Sequence, residues 1–565
     1  MANISPGVYT KIIDLSEYVQ NVPSTIAFMP IVSEYGEDNK LIATNGRDFY
    51  VDFGEPNINY GGSTAKQFSQ GKYVASSFLK ESDQLYVIRV VSDNATYSNL
   101  ILKVETAGES GLGTDGTSDV TVTWDLSTST TNALDTLVNI NSNPENGLVI
   151  YGVGRGEWYN NFEISISQHA NPEKAGVYIL DIYQKQTDPD PDTGLDQFEI
   201  IETYEVSFDY RDVDASGDSM YIEDVINRFS RYLRCKANKD VLLVADSTDS
   251  ADFSQPFISG AIRLDGGTSG DLIASDGSID ETEGNSLLIK AYTGTLVRAD
   301  GEYLTEVLDL DNIYFSIVFD GGYNTDVKTN GIWTLVQTRK DCIAVIDNGD
   351  NYTVNQSIAA RENDHTFNTR YMAMYEPYSK IFDAWTGRDI WITPVYHMAN
   401  IIPYTENVSE LWSAPAGFNR ATIATIKELR FSPLQGERDR LYLKQINPIV
   451  KFNVGYTVWG QLTTQKRPTA LQDFNIVRLV LYIKRALEQY CKFYIFEQND
   501  TTTWSAVSNE VNAFLKVIQD KRGLYGYSVT ADASEYEIKA KQFRLDVSLN
   551  PTRVVEQISL NLYIK

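Results

Sequence analysis

The residues in this chain whose types and spacing could support chemistry fall into a few groups. Gly111-Leu-Gly-Thr-Asp-Gly116 spells the glycine pattern of a dinucleotide loop, but such a loop must open a helix so that backbone N–H groups face a pyrophosphate. Val120, Val122 and Trp124 alternate just beyond it, which predicts a strand and makes the glycines a hairpin loop. Gly71-Lys72 lacks both the earlier glycine and the following hydroxyl residue of a phosphate-binding loop. Asp188, Asp190, Asp192, Asp196 and Glu199 are spaced like the carboxylates of a calcium loop. Against that, Gly194 stands one place late, Pro189 and Pro191 interrupt the ligands, and both flanks read as strands, so a solvated hairpin tip is expected.

His169, His365 and His397 are too far apart for a short-range metal pair, and no G-x-S-x-G elbow occurs. His397, close to Pro394 and Pro403, reads as a structural or surface residue. Cys235, Cys342 and Cys491 form no C-x-x-C pair, which argues against a disulfide framework or a thiolate zinc site and for a reducing compartment. The 76 acidic residues guarantee chance carboxylate pairs, so glycosidase chemistry stays open without any pair ranking above another. No catalytic residue, metal ligand or cofactor-binding residue is assigned, and a non-enzyme is expected.

The elements that would carry these residues are those of several packed units. At 565 residues the chain is too long for one core, and 42% hydrophobic and 12% aromatic residues indicate a globular, strand-favouring protein. A formal charge of −28 opposes direct attachment to nucleic acid. No opening signal peptide and no long uncharged apolar window is read, so neither secretion by a standard signal nor membrane insertion is expected.

An α/β pattern opens the chain, with a strand at Thr25 to Val32, a helix at Thr64 to Leu79 and a buried strand at Gln84 to Val91. From about residue 99 come strands at Val120 to Trp124, Gly147 to Tyr151, Phe162 to Ser167, Val177 to Tyr183 and Phe198 to Phe208. A helix is expected at Ile222 to Leu233 and a solvated acidic loop from Gly266 to Gly284. The α/β pattern returns after about residue 300 with core strands at Ile313 to Phe319 and Cys342 to Ile346. Two amphipathic helices follow, through Ile476 to Tyr490 and Trp504 to Ile518, with a strand expected between them at Phe493 to Phe496. The fold class is therefore α/β, a mixed sheet flanked by helices. Its core is built from both ends of the chain and interrupted by a β-rich insertion, with extended strand arms at each terminus.

The termini are the most suggestive part. Val8, Tyr9, Thr10, Lys11 and Ile12 favour a strand and are set off by a polar stretch, while Ile558, Leu560, Leu562 and Ile564 alternate to the last residues. Each strand could pair within its own subunit or be donated to a neighbour. Phe543, Leu545, Val547 and Leu549 alternate on one strand face just before the second arm.

Several separate stretches resemble the tail sheath proteins of contractile bacteriophages and related injection machines. They are Ser5-Pro-Gly-Val-Tyr9, Phe53-Gly-Glu-Pro56, Leu85 to Val91, Arg339 to Asp347, Tyr371 to Pro377, Trp412 to Gly417, Gly455 to Trp459, Asn475 to Leu479, Phe496-Glu-Gln-Asn499 with Trp504, and Gly523-Leu-Tyr-Gly526. Gln498 and Ala416-Gly417 depart from the family pattern and bear only on local turn geometry. The resemblance implies an arm at 1–22, a core at 23–98, an outward-facing insertion at 99–300, a second core part with the C-terminal domain at 301–549, and an arm at 550–565. It further implies a virion subunit, assembled in the host cytoplasm, that stacks as hexameric rings around a tail tube and contracts to drive the tube through the host envelope. Partners would be further copies of itself, the tail tube protein, and baseplate and tail terminator proteins. The arm strands Val8 to Ile12 and Ile558 to Ile564 would be donated, Phe543 to Leu549 would receive them, and Lys516, Lys521 and Arg522 would face the tube. A non-contractile tail-tip, baseplate or surface-lattice protein using strand exchange is the alternative.

Overall fold

The computed structural model describes residues 25–60, 66–107, 121–129, 134–139, 146–171, 176–186, 196–239, 261–274 and 277–556. Both terminal arm strands, the Gly111–Gly116 loop and most of the Asp188–Glu199 loop lie outside them. The chain opens with β1 (Ala27–Ile31), β2 (Ile42–Thr44), α1 (Lys66–Phe78) and β3 (Leu85–Arg89). The next part contains β4 (Asn99–Ala107), β5 (Thr121–Ser127), β6 (Asn146–Gly152), β7 (Phe162–Gln168), β8 (Val177–Lys185), β9 (Phe198–Ser207), α2 (Ile222–Phe229), β10 (Leu233–Ala237) and β11 (Ile262–Arg263). After α3 (Glu281–Thr293) come β12 (Ile317–Phe319), α4 (Trp333–Arg339), β13 (Ile343–Asp347), β14 (Met372–Glu376), β15 (Ser379–Asp383), β16 (Arg388–Ile392), α5 (Val395–Val408), β17 (Thr422–Ile423), β18 (Ile426–Leu429), β19 (Ile446–Phe452) and β20 (Gly455–Val458). The chain then runs through α6 (Phe474–Lys492), α7 (Thr501–Asp520), β21 (Leu524–Asp532) and β22 (Arg544–Pro551).

A nine-stranded sheet in the order β17-β20-β19-β14-β13-β12-β1-β3-β2 forms the body. Its middle, from β3 to β19, is parallel throughout. Such strands are covered on both faces and therefore read as continuous apolar runs. Residues of β1 show the division: Phe28 enters a core with Leu287 and Tyr292 of α3 and Leu335 of α4, whereas Ala27 and Met29 enter a second core with Phe78 of α1, Met398 of α5 and Val477 of α6.

The β-rich part is two four-stranded sheets, β10-β6-β4-β5 and β11-β7-β8-β9, sharing a core around Ile150, Phe162, Ile182 and Ile226. Its entry and exit strands are bonded to each other: Asn99 N–H donates to Asp265 O at 2.8 Å and Thr96 N–H to Thr268 O at 3.0 Å. It is tied to the body by Arg155, whose guanidinium lies 2.7 Å from the buried Asp38 carboxylate. Residues 99–267 contain 29 acidic and 11 basic side chains, so −18 of the chain's −28 sits there and the other residues together carry −10.

Four expectations need correction. The helix at Ile222 stops at Phe229 because Ser230 turns the chain, and after a bend through Tyr232 strand β10 begins at Leu233. The acidic stretch before Gly284 is a solvated loop only in part: Asp280 accepts a hydrogen bond from Glu283 N–H and caps α3, while Leu272 and Ile279 are buried in the body's core. Phe493 to Phe496 is a turn between α6 and α7, with no strand pairing. The strand expected at Ile313 to Phe319 is shorter, beginning at Ile317.

Candidate functional site

The C-terminal hairpin is built differently from the body. β21 and β22 pair antiparallel, with Tyr527 opposite Leu549, Val529 opposite Val547 and Ala531 opposite Leu545. Along β22 exposure alternates, so Arg544, Asp546, Ser548 and Asn550 face solvent while Leu545, Val547 and Leu549, with Phe543 just before the strand, lean on a core formed by Leu479 and Ile483 of α6 and Val507, Val511 and Leu515 of α7. A two-stranded sheet has little stability of its own and depends on such a backing. Among the described residues β22 pairs only with β21, so its outer edge presents unpaired backbone groups. Between β22 and α6 lies an apolar cavity of about 440 Å³, lined by Val480, Ile483, Leu487 and Cys491 on one side and Leu545, Val547 and Leu549 on the other. Lys484 and Glu488 stand at its rim. The alternation foreseen for Phe543 to Leu549 is present, and Leu545, Val547 and Leu549 line a space that the described residues leave open.

The ends of the described residues are fastened close by. Thr25, the first of them, accepts a hydrogen bond from Arg478 of α6 at 2.6 Å on Oγ1 and donates to Glu406 of α5. Arg478 is buried and lies 3.1 Å from Glu406; burial pulls the guanidinium pKa down and Glu406 only partly restores it. At the other end Thr552 N–H donates to Gly523 O at 3.1 Å, and the Tyr442 hydroxyl donates to Glu556. Desolvation, then the Glu556 charge, raises the neighbouring Asp473 carboxyl to about 6.

The three residues expected to face a tube lie at the end of α7. Lys516 pairs with Asp520 at 2.8 Å, Lys521 pairs with Glu410 at 3.1 Å, and Arg522 is exposed with a left-handed φ of 67°. The last turn of α7 is thus partly committed to its own chain.

A second polar cluster, not anticipated from the sequence, occupies the carboxyl ends of the parallel strands, where open α/β sheets commonly bind ligands. Here the chain's own side chains fill it. Lys328 reaches Asp347 at 2.6 Å and Asp320 at 3.3 Å, with all three side chains at most 2% exposed. Arg89 is spent on the carbonyls of Ser33, Glu34, Gly36 and Arg155. Burial raises Glu376 to about 8 and pushes His365 down to about 3, leaving the imidazole neutral between Asn348 and Thr325. His397 is buried too, 2.7 Å from the Ser379 hydroxyl, and its pKa falls to about 3. The sequence signal for the cluster was the Asp-Gly-Gly and Asp-Asn-Gly runs that end two core strands.

Cation binding finds no support in the described part. The turn Asp212-Val-Asp-Ala-Ser-Gly217 leads to Glu223 with calcium-loop spacing. Glu223 is instead held by Lys236 at 2.6 Å and by the Ala237 N–H at 3.1 Å. Among the described residues no group of three or more His, Cys, Asp or Glu is placed to hold a metal. Nor is any helix among them long and apolar enough to cross a membrane.

Residues 307–464 match the phage tail sheath protein central domain and residues 466–565 the phage tail sheath C-terminal domain. Over residues 307–565 the chain belongs to the phage tail sheath family. The tail sheath protein of Vibrio phage KVP40 is 31% identical over 197 residues, covering 34% of this chain and 29% of the relative. That of Enterobacteria phage T4 is 27% identical over 237 residues, covering 41% and 34%. This sheath chain thus aligns with about a third of the length of those curated relatives. A sheath tail protein from Listeria innocua has the same fold, with a TM-score of 0.54 at 11% identity over 94% of this chain and 93% of that one.

Proposed function

We propose that this sheath subunit polymerises as stacked hexameric rings around a tail tube and contracts to drive the tube through a host envelope, its copies joined by exchanged terminal strands. The observation that carries this reading is the open outer edge of β22 beside an unfilled apolar groove. A strand with the alternation of Ile558, Leu560, Leu562 and Ile564 supplies both what the edge lacks, backbone partners, and what the groove lacks, apolar side chains. Val8 to Ile12 of another copy would extend the same small sheet. A head-to-tail contact of this kind does not close on itself and builds a helical assembly.

The fastened arm roots suit the mechanical role. Each subunit would turn nearly as a rigid body, with the rotation absorbed in the tethers. Backbone hydrogen bonds contribute only about 0.5–1.5 kcal/mol each, but several per arm at both ends would hold the mesh together. Work would come from new contacts between copies rather than from nucleotide hydrolysis. The less acidic body can pack against other bodies, whereas the acidic insertion is best kept outward, where like charges are screened. The subunit would be a virion component assembled in the host cytoplasm, with tube, baseplate and terminator proteins as further partners and no enzymatic activity. Lys516, Lys521 and Arg522 remain the proposed tube contacts; reversing Lys521 and Arg522 to Glu should weaken decoration of tubes.

Negative-stain electron microscopy of the full-length protein with and without tail tubes tests the reading. Striated cylinders are expected, and deletion of residues 557–565 should leave a folded monomer that forms none. Cylinders unaffected by that deletion would refute donation of the C-terminal arm.

A further inference from the structure

Three side chains at the carboxyl ends of β12 and β13 are arranged for a reaction rather than merely for neutralisation. Lys328 Nζ is 2.6 Å from Asp347 Oδ1 and 3.3 Å from Asp320 Oδ2, and none of the three side chains is more than 2% exposed. The other oxygen of Asp347, Oδ2, accepts hydrogen bonds from the Thr393 hydroxyl at 2.7 Å and the Tyr378 hydroxyl at 3.0 Å. Oδ1 accepts a further bond from Gly349 N–H at 2.7 Å, and Asp320 is oriented by the N–H groups of Tyr323 at 2.9 Å and Asp347 at 3.2 Å. An amine, a carboxyl carbon, two hydroxyl donors on the oxygen that would bear the developing charge, and a second carboxyl beside the amine are the parts of an acyl transfer.

We propose that Lys328 and Asp347 become joined by an isopeptide bond formed by the protein itself, with Asp320 as the proton carrier. The step begins when a proton passes from the Lys328 ammonium to Asp347 Oδ1 along their direct hydrogen bond, leaving an amine and a carboxylic acid. The amine lone pair attacks Cγ of Asp347, and charge gathers on Oδ2, where Thr393 and Tyr378 stabilise it. Asp320 takes the second proton from Nζ and returns it to Oδ1, which departs as water. The Nζ–Cγ bond forms, the Cγ–Oδ1 bond breaks, one water is lost, and nothing is oxidised or reduced.

Burial favours each part of this sequence. In the resting cluster desolvation pushes Asp320 well above the ordinary carboxyl range, despite Lys328, which poises it to accept and release a proton near neutrality. Desolvation alone would also raise Asp347 and lower Lys328, but their mutual attraction holds both charged. A buried ion pair of this kind carries a large desolvation penalty, and an amide removes both charges. The absence of bulk water slows the reverse hydrolysis.

Intact-mass measurement of the denatured full-length protein tests the proposal. The expected mass is lower than the sequence value by one water, with a proteolytic fragment in which the Lys328 and Asp347 peptides are linked and cleavage after Lys328 is blocked. The link should survive mild alkali. Asp347→Asn should give the same link by loss of ammonia instead of water, and Asp320→Asn should leave the two residues unlinked in a folded protein. A wild-type mass equal to the sequence value overturns the proposal, whether or not any variant folds. So does a water loss that mild alkali reverses or that maps to Asp320-Gly321, because a succinimide would produce it.

Discussion

The parallel body and the C-terminal hairpin solve the same problem in opposite ways. In the middle of the body, from β3 to β19, each strand is flanked by strands and covered on both faces, so Phe28, Ile346 and Met374 have no exposed surface. In the hairpin one face is backed by α6 and α7, while the edge of β22 and the groove beside it stay open. On the proposed function, the difference separates what holds a subunit together from what would hold subunits to one another. Changes in the first should cost stability before assembly, and changes in the second should cost assembly with little loss of stability.

The largest effect should come from Phe28→Ala, which leaves a cavity between the sheet and α3 and should lower unfolding free energy by about 3–5 kcal/mol in urea titrations. Next, Val547→Asp places a charge at the groove; a rise of at least about tenfold in the concentration needed for cylinders, with the monomer still cooperatively folded, is expected in sedimentation. An equal loss of monomer stability and assembly would erase the distinction drawn here.

The two regions should also differ in pH response. Desolvation holds the Glu376 carboxyl at about 8 in the folded body, above its ordinary 4.5, so the native state keeps a proton that the unfolded chain releases. Its contribution is full below about pH 4.5 and is lost as pH rises through about 8. Glu376→Gln should flatten the fall in the urea midpoint over that window, whereas amide exchange in β21 and β22 should show no matching slope. The buried His397, at about 3, acts in the other sense: its contribution is present above pH 6.5 and is lost as pH falls toward 3.

Smaller effects lie in the C-terminal domain. Asp500 accepts hydrogen bonds from Thr502 and Thr503 N–H at 3.0 and 2.9 Å, and Asp500→Ala should cost about 1 kcal/mol through the lost cap of α7. Arg544 pairs with Asp532 and Asp546 on the exposed hairpin face, where solvent screens both pairs, so Arg544→Ala should leave the urea midpoint essentially unchanged.

These contrasts also explain which parts were legible. Cys342 to Ile346 read as a core strand because parallel pairing makes every position apolar, and Leu545, Val547 and Leu549 because a half-covered strand alternates. Phe493 to Phe496 misled because an apolar, aromatic run of four has strand propensity, yet between two long helices that lie side by side it can only turn. Asp280 looked like one more solvated acid until its carboxylate was seen to cap a helix. Lys328, Asp320 and Asp347 stand 8 to 27 positions apart; the Asp-Gly-Gly and Asp-Asn-Gly runs mark where two core strands end, but only the adjacency of β12 and β13 brings the three together. The groove is harder still, since a cavity is a property of what two elements fail to fill.

The hydrogen-bonded neck of the β-rich part, where Thr96 meets Thr268 and Asn99 meets Asp265, has a consequence for how such chains change over time. Because the two strands leave and re-enter the body side by side, a segment of almost any length can be looped out there at small closure cost. The neck is thus a socket: a short linker joining residues near 96 and 268 should give a trimmed subunit, and a foreign domain with adjacent termini could be carried there, which in the proposed cylinder would form a dense, regularly spaced display surface.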